Sequence, residues 1–219
     1  MTNEHNTNIN DNDNGRPVAP VSEHAAAGAG VPVETAPDAH ERYPAPKVWV
    51  ASLSDYNAGR LHGAWVDVTD EDSLWAGIRH VLATSPVPEA EEWAFHDYEG
   101  FGPVDLGEYE AMEDVVRLAA GITEHGPAFA HYANLVGWRN SERLRHFDEA
   151  YEGHFESLTA YGDHIIEAHD FESAIQELPE LIVPYVRIDS TAFARDMELG
   201  GMIMTSEGDG GVYVFEEGW

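Results

Sequence analysis

Cysteine is absent from the 219 residues, so no disulfide framework, thiolate metal site or cysteine nucleophile is available, as expected in a reducing compartment. Lysine is nearly absent too: Lys47 stands alone, and Lys and Arg together number 11 against 41 acids, for a net charge of −30. No apolar run approaches the roughly 20 residues needed to cross a bilayer, and the first residues carry neither a basic nor an apolar export segment. These deficits predict a soluble, cytoplasmic protein. Its surface should repel nucleic acid and anionic membranes and attract basic partners, at rates that fall with salt. The 43% of hydrophobic residues is a normal supply for packed cores, so the acidity does not come from a chain unable to fold.

Residues 1–46 are mostly Asn, Asp, Ala, Gly, Pro and Val, with Tyr43 the single aromatic and no apolar period; the stretch reads as a disordered extension. Alternation over 47–53, turn residues Asp55, Asn57 and Gly59, and a second run over 61–68 predict a hairpin. Asp70-Glu71-Asp72 opens a helix whose apolar face is Leu74, Trp75, Ile78, Val81 and Leu82, and Pro86 and Pro88 end it. A strand is expected over 93–98. Helical periods follow over 108–124, 127–135, 141–151 and 158–168, and then strand, helix and strand over 185–188, 191–199 and 212–215. The expected class is α+β, a chain of three small domains after the extension: an N-terminal sheet with one helix (47–107), a helical middle (108–138) and an α+β C-terminal unit (139–219).

The acids are scarcely diluted. Asp67, Asp70, Glu71, Asp72, Glu89, Glu91, Glu92, Asp97, Glu99, Asp105, Glu108, Glu110, Glu113 and Asp114 are accompanied by one cation, Arg79. Asp148, Glu149, Glu152, Glu156, Asp163, Glu167, Asp170, Glu172, Glu177 and Glu180 are accompanied by none. Residues 47–219 hold 34 acids and 9 cations. A dimer of that part would carry about −50, the phosphate charge of on the order of 85 Å of B-form duplex. Carboxylates spread over such a length can satisfy the Arg and Lys side chains that hold phosphates, with no base readout and no catalysis. Plain solubility and adaptation to high salt produce the same composition, so composition alone does not choose.

The run Val48-Trp49-Val50-Ala51-Ser52-Leu53-Ser54-Asp55-Tyr56-Asn57-Ala58-Gly59-Arg60-Leu61-His62-Gly63-Ala64-Trp65 resembles the opening of the ArdA antirestriction family. Glu91-Glu92-Trp93-Ala94-Phe95-His96-Asp97-Tyr98-Glu99, then Phe147-Asp148-Glu149-Ala150-Tyr151-Glu152-Gly153, then 185–196 and the closing 212–215, resemble its later segments in order. The resemblance implies three small domains in an elongated, curved monomer, a homodimer through the C-terminal dimerisation domain, and inhibition of type I restriction–modification enzymes by imitation of DNA in their binding groove. The acids from Asp67 to Asp114 and from Asp148 to Glu172 are then the partner-binding set. Trp49, Trp65 and Trp93 read as core or interface anchors.

Other chemistry is poorly supported. His164, Glu167 and His169, beside Asp163 and Asp170, form the densest group among 12 histidines, but a spacing of five puts the two histidines off one helical face. Arg139, Arg143 and Arg145 could suggest a phosphate patch, yet Glu142 and Asp148 flank them and ion pairing within the chain or across a dimer is the simpler reading. No phosphate loop and no G-x-S-x-G elbow occurs. The chain is therefore expected to be non-catalytic and without cofactor or metal; the competing reading is an acidic hydrolase or metal-dependent enzyme whose charge is incidental.

Overall fold

The computed structural model describes residues 43–218. The disorder expected of 1–42 lies outside the described residues. At 43–46 the expectation is corrected: Tyr43 N donates to Thr123 O at 3.0 Å, and Pro46 is buried, its carbonyl accepting from Val68 N at 2.8 Å.

The chain is mixed α+β, as expected. Strands β1 (Lys47–Ser52), β2 (Gly63–Asp67) and β3 (Trp93–Glu99) form an antiparallel sheet in the order β2-β1-β3. Between β1 and β2 the expected turn is a short helix, α1 (Leu53–Asn57), because Ser52 caps it by accepting from Asp55 N. Helix α2 (Glu71–Ala83) starts where the acidic turn predicts, with Asp70 accepting from Ser73 N, and its Leu74, Ile78 and Val81 are buried.

Helix α3 (Met112–His125) begins four residues later than its periodicity predicts. Residues 108–111 belong instead to a loop laid along β3, with Phe95 N donating to Glu108 O at 3.1 Å. Helix α4 (Pro127–Val136) follows after Gly126, whose φ of 72° few other residues adopt. The single helix expected over 141–151 is two short ones, α5 (Ser141–Leu144) and α6 (Phe147–Ala150), and the chain then turns into β4 (Tyr151–Phe155). Helices α7 (Leu158–Ala168), α8 (Phe171–Gln176) and α9 (Ser190–Leu199) precede β5 (Ile203–Gly208) and β6 (Gly211–Glu216). The second sheet is antiparallel in the order β4-β6-β5. The strand expected over 185–188 does not form: Val183–Tyr185 is a 3-10 turn and the residues after it pair with no strand.

One cluster of buried apolar side chains runs from Val48 and Phe95 through Val115, Leu118 and Ile122 of α3 and Phe129 and Tyr132 of α4 to Phe147 and Phe215. It is continuous across 107–108 and 138–139, the expected domain divisions. A smaller cluster of Tyr161, Ala194, Ile203, Val212 and Val214 joins α7 and α9 to the second sheet.

Candidate partner-binding surface

The fold turns most of the predicted acids outward for local reasons. Asp70 caps α2, and the hydrogen bonds that Ser73 donates to it hold its carboxyl below the usual range. Glu71 and Asp72, Glu113 and Asp114, and Asp148 and Glu149 lie in the first turns of α2, α3 and α6, where the helix dipole favours negative charge. Those seven acids have a role in the fold whatever they bind. The others, apart from Glu172 at the start of α8, do not sit in first turns. Glu89, Glu91 and Glu92 occupy the loop before β3, Asp97 and Glu99 alternate along β3, and Asp105 and Glu108 lie in the loop after it. Glu152 lies within β4 and Glu156 directly after it, and Asp163, Glu167 and Asp170 follow on and after α7.

Nineteen of the 22 predicted acids are exposed; Glu110 and Asp114 are partly buried, and Glu172 lies in α8. Glu110 is no longer a surface charge. Its side chain is 10% exposed, pairs with Arg139, and accepts from Gly107 N at 2.8 Å. Asp114 pairs with Arg117 one helical turn on. The Glu152 carboxyl lies above its usual value: burial raises it, the nearby Glu216 raises it further, and His164 lowers it.

Among the described residues, five Lys and Arg side chains pair with acids, while Arg79, Arg187 and Arg195 are exposed without an ion pair. Lys47 reaches Asp67 at 3.7 Å, Arg60 reaches Asp55 at 3.1 Å, and Arg145 pairs with Glu142. Arg139 lies 4.1 Å over the Trp138 ring while it binds Glu110. Ion pairing of Arg139 and Arg145 is thus within the chain. Asp55, in the predicted turn, is fully buried: burial pushes its carboxyl up, but hydrogen bonds from Ser85, Ser52 and Arg60 and the Arg60 charge bring it below the usual value. Its role is to tie α1 to the segment after α2, through Ser85 Oγ at 2.5 Å.

His164 and His169 sit apart, against Phe155 and Phe171 respectively. Among the described residues no group of three or more His, Asp or Glu side chains is arranged to hold a metal ion. No helix of the described residues is long and apolar enough to cross a membrane.

A second surface feature was not legible in the sequence. Trp138, Phe147, Ile203, Tyr213 and Phe215 are buried within the chain. Exposed apolar side chains are concentrated in one segment, at Leu178, Leu181 (83% exposed), Ile182, Tyr185 (84%) and Ile188, besides scattered ones such as Leu61, Tyr109, Leu199 and Met202. This segment borders a groove of about 390 Å³ whose walls include Ile166, Ile175, Val183 and Val186.

The pattern of the antirestriction protein (ArdA) family matches residues 48–211. The chain belongs to that family. The match begins one residue into β1, takes in the rest of the first sheet, all the helices described and strands β4 and β5, and ends at Gly211, the first residue of β6. No curated protein matches the chain. Membership makes this an antirestriction protein, and it relates the chain to restriction enzymes in general.

Proposed function

We propose that this ArdA protein is a non-catalytic mimic of B-form DNA that occupies the DNA-binding groove of type I restriction–modification enzymes in the cytoplasm. The supporting observation is the asymmetry of the surface. Nineteen predicted carboxylates face solvent, while Lys47, Arg60, Arg117, Arg139 and Arg145 are each paired with a carboxylate of the same chain. Arg79, Arg187 and Arg195 are exposed without an ion pair among the described residues. Three such cations against nineteen carboxylates leave a basic groove facing a predominantly negative field, presented by groups that accept the same charge-assisted hydrogen bonds as phosphate oxygens. No cofactor takes part.

The protein acts as a homodimer through its C-terminal part, which would double the acidic surface. The exposed residues Leu181, Ile182, Tyr185 and Ile188 supply an apolar contact that two such anionic chains need in order to associate.

Titration of a purified type I enzyme and its DNA with this protein tests the reading. Stoichiometric loss of DNA binding, weakening as salt rises, is expected. Replacing Glu89, Glu91, Glu92, Asp97 and Glu99 together by the amides should weaken inhibition, with each single change costing about 0 to 1 kcal/mol. Sub-stoichiometric inhibition that grows with time would mark an enzyme instead.

A further inference from the structure

The outer face of the first sheet is only half covered. Register places Trp65, Trp49 and Asp97 side by side across β2, β1 and β3, and Asp67, Lys47 and Glu99 side by side in the next row. The other end of the face, at Ala51 and Ala94, is buried, and α1 closes it through Tyr56, whose ring meets His96 edge-on at 4.8 Å. The Trp end stays open. Trp65 is 42% exposed and stands edge-on to Trp49, with ring centroids 5.7 Å apart at 72°. Gly63 makes this possible: a Cβ there would come within 2.8 Å of Trp49 Nε1, so only glycine lets the indole lie across β2. Asp67, Asp97 and Glu99 rim the aromatic pair and are all exposed, and the chain's one lysine already sits among them, on Asp67.

We infer that this face is an arginine-selective anchor for the basic partner. An exposed indole backed by a partly buried one, with three carboxylates on the same open sheet face, exceeds what a copy of phosphate charge requires. Their chemistry fits one group closely. A guanidinium is planar and weakly hydrated; it stacks on an aromatic face while its N–H fork binds carboxylate. An ammonium keeps its water and gains less from the ring. The net charge of −30 supplies the complementarity that draws a cationic surface to it, and the Trp face selects which cation is held. The inference rests on the reading that the partner is a basic protein groove.

The test uses the full chain and two synthetic peptides, five Arg-Gly repeats and five Lys-Gly repeats, with affinities from calorimetry at low and at high salt. The wild type should bind the arginine peptide roughly two- to fivefold more tightly than the lysine peptide. Trp65→Ala should remove that preference and leave the lysine peptide unchanged, while Trp75→Ala, at an exposed indole on α2, should preserve it. Asp97→Asn, which alters no buried packing, should also reduce the preference and serves if Trp65→Ala is poorly folded. Equal binding of the two peptides by the wild type, or a preference that survives Trp65→Ala and Asp97→Asn, overturns the inference. The enzyme titration separates the two readings. A wild type that fails to inhibit removes the proposed function, whereas Trp65→Ala inhibiting as well as the wild type removes only the anchor.

Discussion

Replacing Glu110 by alanine tests whether acids on this chain divide into structural and binding sets. Glu110 is the hinge of a small assembly. It accepts from Gly107 N, pairs with Arg139 where that guanidinium lies on Trp138, and Tyr98 Oη donates to Gly107 O at 2.6 Å in the same loop. Burial and the Glu110 charge push the Tyr98 phenol well above its ordinary value, so Tyr98 remains a donor. Loss of the Gly107 bond costs about 1 kcal/mol, at the low end because Gly107 is exposed and water can replace the acceptor. Loss of the pair with the half-exposed Arg139 costs up to about 1 kcal/mol. Glu110→Ala should therefore lower stability by about 1–2 kcal/mol, or roughly 2–8 °C in Tm, with Glu110→Gln losing less because its amide oxygen still accepts from Gly107. Glu113→Gln, three residues on and exposed, should stay within about 0.5 kcal/mol of the wild type. Urea unfolding measures all three. If Glu110→Ala unfolds at the wild-type midpoint, the assembly does not hold the loop and Glu110 belongs with the binding acids.

Three further outcomes are expected. Burial, with Glu152 and Glu216 nearby, pushes the Tyr161 phenol from 10.0 up to about 12, so the folded state holds a proton that the unfolded state releases first; stability should be complete below about pH 10 and fall as pH rises from there through 12. Urea midpoints at pH 8, 10 and 11 should show that fall, and Tyr161→Phe should make it shallower; an equal fall in both would assign it to other groups. Gly126→Ala should cost about 1–3 kcal/mol, because φ is 72° there and a Cβ would run into the Tyr43 ring, and a chain beginning at residue 43 should be more stable than one beginning at 46. Calorimetric Tm values compare these forms, and equal Tm for the two truncations would show that Tyr43 contributes nothing. Leu181→Asp with Tyr185→Asp should leave the unfolding of the chain unchanged while giving a monomer by sedimentation; a dimer that persists places the contact on another surface.

Local signals determined much of the fold from the sequence alone. Helices α2 and α7 lie where periodicity and the caps Asp70 and Ser157 put them, because capping and i to i+4 packing involve residues close along the chain. The strands of the first sheet were equally plain. Tertiary partners decided the rest. Tyr151–Phe155 and Ile203–Gly208 carry weak strand patterns and become strands by pairing with β6 on either side, whereas 185–188 alternates well but finds no strand beside it. The surplus of acid was visible in composition, since charge is additive and most charged groups stay in water. Which acids leave the surface was not visible: Glu110 is claimed by a guanidinium 29 residues away and Asp55 by a hydroxyl 30 residues away. Burial of a carboxylate is favourable only where its partners converge on it, and that convergence exists only in the folded chain.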